Sequence, residues 1–169
     1  MLVALIELSS LDMTVDWGVE SLRLSLFSTA VVPISDRDWE AITGQPEAET
    51  RQNVPGGKSY AGIFADGQLT LTSLSDRVAV FLSGVPKEPP NQELPSLGAW
   101  ESVRETFEKK TCGWLSNVRN PIIRIGFGAV LTHRTKSMGD AYRELKQLLR
   151  SVNRAGLTNL NSEISGVSA

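Results

Sequence analysis

The chain has 169 residues, of which 41% are hydrophobic and 21% charged, with a net charge of −2 and one cysteine. That is enough apolar material for one domain core without a metal or disulfide staple, and one thiol excludes an internal disulfide. No stretch approaches the about 20 apolar residues of a membrane helix, so a cytoplasmic protein with no membrane contact and no cofactor is expected.

Residues 1–18 stand apart as an N-terminal segment, of which Met1 to Asp12 is fairly apolar. No basic residue precedes the apolar stretch and Glu7 interrupts it, unlike a secretory signal. They read either as an edge strand over Leu2–Leu8 or as an N-terminal extension, with Met13 as an alternative start, ahead of one domain over residues 19–154. In Val19–Phe27, Leu22, Leu24 and Leu26 alternate with Ser21, Arg23 and Ser25, the period of a half-exposed strand. Ser35 and Asp38 have the spacing of a capping box and open a helix that buries Trp39 and Ile42, with Gly44 as its left-handed stop. Residues 45–58, with two prolines and several polar residues, read as a long loop.

Tyr60–Ala65 and Gln68–Leu74 flank Asp66-Gly67, a sequence suited to a type I′ hairpin turn. A second turn near Ser75-Asp76 leads to Arg77–Leu82, which completes a three-stranded antiparallel meander. Pro86, Pro89, Pro90 and Pro95 make residues 84–95 a stiff connection. Ser96 is the expected cap of a second helix over residues 97–117, with Trp100, Val103, Phe107, Thr111 and Trp114 as its apolar stripe. Ile122–Leu131 reads as a central strand. One face carries Ile123, Ile125, Phe127, Ala129 and Leu131, and the other carries Ile122, Arg124, Gly126, Gly128 and Val130, bare enough at the glycines for a bulky neighbour such as a helix tryptophan. Ser137 and Asp140 repeat the cap spacing ahead of a third helix reaching about Asn153, with Ala141, Tyr142, Leu145, Leu148, Leu149 and Val152 inward. Residues 155–169 form a Ser/Asn-rich tail.

The expected class is α+β: a single antiparallel or mixed sheet of four to six strands with two or three helices packed on it. The order, β-α-β-β-β-α-β-α, resembles a ferredoxin-like plan with one strand and one helix added. That plan hosts many unrelated activities and implies none.

Chemistry-bearing groups are sparse. His133 is the only histidine and reads as an exposed residue in a basic turn, or as the acid–base group of a small enzyme. Cys112, away from a helix N-terminus, reads as a small, partly buried side chain. Gly126-Phe127-Gly128 and Pro55-Gly56-Gly57-Lys58 lack the context of a phosphate-binding loop. No Ser-His-Asp, Cys-His or metal-ligand spacing is present, so no catalytic or metal residue is assigned.

Charge is unevenly spread: residues 119–154 hold eight lysines and arginines against Asp140 and Glu144. Arg134 and Lys136 precede Arg143, Lys146, Arg150 and Arg154, which form one helical stripe able to meet phosphates or an acidic protein surface. The leading expectation is a non-catalytic binding or assembly subunit of an intracellular complex, with a protein partner or a second copy of the chain. Trp17, Gly126 and Gly128 are its interface candidates. A nucleic-acid-binding component using the basic stripe is the first alternative, and a small enzyme near His133 the second.

Overall fold

The computed structural model describes residues 16–86, 94–144 and 146. Contacts divide the chain into Trp17–Thr132 and a second unit of Met1–Asp16 with His133–Ala169. The larger unit contains β1 (Gly18–Ser28), α1 (Asp36–Thr43), β2 (Thr50–Val54), β3 (Gly57–Phe64), β4 (Gly67–Ser73), β5 (Arg77–Gly84), α2 (Trp100–Leu115) and β6 (Ile122–Thr132). The strands form one sheet in the order β2-β3-β4-β5-β1-β6, with every neighbouring pair antiparallel. The expected α+β class with a single sheet is therefore present.

Alternation along the strands decides which face is covered. Leu22, Leu24 and Leu26 of β1 stand opposite Leu82, Val80 and Val78 of β5. Leu69 and Leu71 of β4 stand opposite Leu82 and Val80, and Tyr60 of β3 opposite Leu71. All are buried, and residues directly opposite in a ladder share a face. The other face carries Arg23, Ser25, Thr70, Thr72 and Ala79, with Ile63 and Phe81 exposed among them. The helices seal the apolar face. Trp39 and Ile42 are the buried side of α1, and Trp100, Phe107, Thr111 and Trp114 that of α2.

Asp38 ties the two helices together. One carboxylate oxygen accepts the Ser35 N–H at 2.8 Å and the Ser35 hydroxyl at 2.6 Å, and the other accepts the Trp114 indole N–H at 3.0 Å. Gly44 ends α1 at φ 78°, donating its N–H to the Glu40 carbonyl at 2.7 Å. Asp38→Ala removes the cap and strands the indole N–H, so a loss of about 1–2 kcal/mol is expected in urea unfolding followed by circular dichroism.

Four elements differ from the sequence reading. First, residues 45–58 are not a continuous loop. Thr50–Val54 pairs with β3 through a two-residue turn, Pro55-Gly56, in which Gly56 has φ 78°. Proline followed by a positive-φ glycine is the type II pattern. β2 is exposed over Thr50–Asn53 and has no apolar alternation to reveal it.

Second, the β3–β4 turn is Ala65-Asp66, with Phe64 opposite Gly67 and the positive φ, 51°, at Ala65. Gly67 serves a close approach instead: a Cβ there would lie 2.3 Å from Leu97 Cδ2 and 2.5 Å from the Ser83 carbonyl oxygen.

Third, α2 begins at Trp100 with Ala99 as N-cap, and Ser96 does not cap it. Residues 97–100 are drawn to the start of β1. Leu97 N–H donates to Val19 O at 2.7 Å, Val19 N–H to Gly98 O at 2.9 Å, and Trp100 N–H to Trp17 O at 2.9 Å. Gly98 makes this detour at φ 112°.

Fourth, β6 is an edge strand, paired only with β1 among the described residues.

In the smaller unit, residues 138–144 are helical. Ser137 caps them as expected: its hydroxyl donates to Asp140 Oδ2 at 2.7 Å and accepts the Asp140 N–H at 3.2 Å. The expected strand at Leu2–Leu8, most of the proline-rich connection, the later part of the third helix and the tail lie outside the described residues.

Candidate interaction surface

β6 continues the apolar rows of the sheet past the point where the helices cover them. Ile125, Phe127 and Ala129 stand opposite Leu26, Leu24 and Leu22 of β1, so they project from the helix-covered face. One row runs Phe127–Leu24–Val80–Leu71–Tyr60 across five strands. Leu24, Val80, Leu71 and Tyr60 are all less than a tenth exposed, while Phe127 is 49% exposed. α2 reaches the rim of the row and stops: the Phe107 ring meets the Phe127 ring at 6.3 Å, tilted by 57°. Ile125, at 41% exposure, extends the bare strip, and Ile123, 67% exposed, lies at the register shift beyond it.

The opposite face of β6 has little bulk. Arg124 lies with its guanidinium carbon 3.9 Å from the centre of the Phe27 ring, a cation–π contact that holds the only charge on the strand flat against its neighbour. Gly126 stands opposite Ser25 and Gly128 opposite Arg23. A Cβ at Gly126 would meet Phe27 Cε2 at 3.7 Å, and one at Gly128 would meet nothing within 4 Å. These glycines lie on the face turned away from α1 and α2. Trp39, Trp100 and Trp114 are all buried with the two helices, so no helix tryptophan covers the glycines. Trp17, at the entry to β1, is half-buried, and its carbonyl holds the first N–H of α2.

Of the predicted basic residues, Arg134, Lys136, Arg143 and Lys146 are exposed, whereas Arg150 and Arg154 lie outside the described residues. Arg143 is paired with Asp140 one helical turn away. His133 is half-buried rather than exposed: Nδ1 lies 3.1 Å from the Asp16 carbonyl oxygen and Nε2 3.1 Å from Glu144 Oε2. Cys112 is exposed, not partly buried, because α2 turns that side to solvent.

Among the described residues no three His, Cys, Asp or Glu side chains gather as metal ligands. A depression of about 300 Å3 between Pro33, Ile34, Asn53 and Lys58 is bordered by Ser73. The Ser73 hydroxyl is buried and donates at 2.5 Å to the Val32 carbonyl, so it is structural. Among the described residues no helix is long and apolar enough to cross a membrane. Comparison with protein-family models, curated proteins and solved structures finds no match.

The apolar run of β6 was legible in the sequence, but its exposure was not. A run of that kind marks a strand buried between neighbours or one whose cover comes from elsewhere. Only the position of β1, already flanked by β5, shows that β6 is outermost.

Proposed function

We propose that the chain is a non-catalytic binding or assembly subunit of a larger intracellular complex, acting through protein–protein contacts, with β6 as the contact strand. The observation that carries this reading is an eleven-residue edge strand with Ile125 and Phe127 41% and 49% exposed on one face. Exposed, contiguous apolar surface next to an open strand edge is what an interface presents before its partner arrives. A partner that adds a strand satisfies the edge with main-chain hydrogen bonds and covers the side chains together.

Nucleic-acid binding is the alternative reading, drawn from Lys136, Arg143 and Lys146. The pairing of Arg143 with Asp140 subtracts from the phosphate-facing charge of that stripe, which weighs toward protein contact.

The test is a paired purification of the full chain and an Ile125→Lys, Phe127→Lys variant from the cells that make it. A stoichiometric protein partner, either another protein or an untagged second copy of the chain, is expected with the tagged native chain and a loss of at least about tenfold with the variant. Both side chains are at least two-fifths exposed, so the unfolding midpoint should move little. Undiminished recovery of the partner by the variant would overturn the reading, as would recovery of nucleic acid in its place.

A further inference from the structure

The two edges of the sheet are built differently. β2 has five residues, carries Arg51, Gln52 and Asn53, and is followed at once by Pro55. Short length, charge and proline are the devices that stop an edge from recruiting another strand. β6 has neither the short length nor the proline. It runs for eleven residues without proline, from Ile122 to Thr132, and its one charge is folded back onto Phe27. Both register shifts between β1 and β6 lie near the ends of their pairing, at Val19/Ser21 and Phe27/Ser28, so the stretch between is regular. Among the described residues nothing pairs with its outer edge.

We infer that β6 pairs with β6 of a second copy of the chain, antiparallel about a two-fold axis at Phe127. This rests on the reading of β6 as the contact strand and names its occupant. The sequence of the strand is self-complementary in that register. Phe127 faces its own copy and Ile125 faces Ala129, both on the apolar face. On the other face Gly126 meets Gly128, and Arg124 meets Val130. Apolar residues therefore oppose apolar residues throughout one face, where cross-strand pairs gain most. The two copies of Arg124 sit six positions apart, about 20 Å along the strands, beyond the reach of unscreened repulsion at physiological salt. The matched glycines leave no side chains to collide at the centre of the far face. A two-fold interface requires that one surface fit itself; this strand meets that condition by composition, whereas β2 would set its polar residues against each other with no apolar cover.

The test places a cysteine at the axis. In a Cys112→Ser background, which removes the exposed native thiol, Phe127→Cys brings two thiols directly opposite each other. Oxidation is expected to give a covalent dimer at least about tenfold faster than Asn53→Cys on the β2 edge, since facing Cβ atoms fall within disulfide range. Mixing Ile125→Cys with Ala129→Cys chains should give the mixed dimer in preference to either self-paired product, which fixes the register. Sedimentation of the native chain, which needs no variant to fold, should show a dimer that Ile125→Lys, Phe127→Lys converts to monomer. A native chain that sediments as a monomer at about 100 µM, well above the dissociation constant of a specific contact, with Phe127→Cys no faster than Asn53→Cys, overturns the inference. A monomer whose β6 is bound by a different protein removes self-pairing but keeps the contact reading. A monomer that retains nothing at β6 removes both.

Discussion

Replacing Trp39 with alanine is expected to lower stability by about 3–5 kcal/mol, the usual cost of emptying a large aromatic site in a core. Trp39 is fully buried, and its ring stands over Gly62 of β3, where a Cβ would come within 3.1 Å of Cζ2. The strand cannot rise to fill the space without breaking its pairing on both sides, to β2 and to β4, so the cavity stays open. The same site makes a second, opposite forecast. The Trp39 indole N–H is buried without a hydrogen-bond partner among the described residues, and an unmet donor of this kind costs about 1–3 kcal/mol. Trp39→Phe removes that donor along with part of the ring, so the two effects offset. Trp114 is equally buried, at 1% exposure, but donates to Asp38 at 3.0 Å. Trp114→Phe forfeits that bond and leaves a carboxylate oxygen behind. The order of urea midpoints should be native, then Trp39→Phe, then Trp114→Phe, then Trp39→Ala. Trp114→Phe proving milder than Trp39→Phe would show that the indole bonds do not govern these sites.

The elements legible in the sequence are those whose local chemistry needs no neighbour. The strand around Leu22, Leu24 and Leu26 shows as alternation because one face is buried. The helix at Asp36 shows because Ser35, Asp38 and Gly44 are the residues its ends require. What escaped was fixed from outside the segment. The proposed start of α2 at Ser96 failed because residues 97–100 bond to β1, some eighty residues earlier, and that pairing has no local signature. β2 escaped because an outer strand that buries nothing needs no apolar period. The Pro55-Gly56 turn was its one available signal. Asp66-Gly67 misplaced the hairpin turn by one residue because glycine is demanded there by the side chain of Leu97 and the backbone of β5, not by a positive φ.

The candidate surface shows the same division. The residues of β6 were all in view, and their two faces were assigned as the structure has them from Arg124 to Leu131; the register shift at Phe27/Ser28 sets Ile122 opposite Ser28, off the face expected for it. Whether the strand is central or outermost depends on strand order, a property of the whole sheet. Gly126 and Gly128 accordingly announce an open face without saying whether a helix fills it. The basic residues follow a helical spacing that predicts which side of the helix they share. It says nothing of which partner each finds, as the Arg143–Asp140 pair illustrates.

Gly56 and Gly57 are adjacent and should respond to substitution for different reasons. Gly56 has φ 78° and open space around it: a Cβ there would meet nothing within 4 Å. Its cost is conformational only, about 1 kcal/mol for alanine, and asparagine, which tolerates the left-handed region, should recover most of it. Gly57 is in an ordinary strand conformation, yet a Cβ would stand 1.7 Å from the Ser73 carbonyl oxygen and 2.7 Å from its carbonyl carbon. Both are backbone atoms of β4, and Ser73 is itself fixed through its hydroxyl to Val32. Neither side can yield without parting the strands. Gly57→Ala is therefore expected to cost about 3 kcal/mol, at the upper end for overpacking, and Gly57→Asn at least as much. Asparagine thus separates the two positions: nearly neutral at 56 and severe at 57, read as urea midpoints at an unchanged slope. In amide spectra, the Gly56 variants should leave the Ser73 resonance in place, and the Gly57 variants should shift it. Equal tolerance of asparagine at both positions would mean that β3 and β4 are not held as closely at this end of the sheet as the register requires.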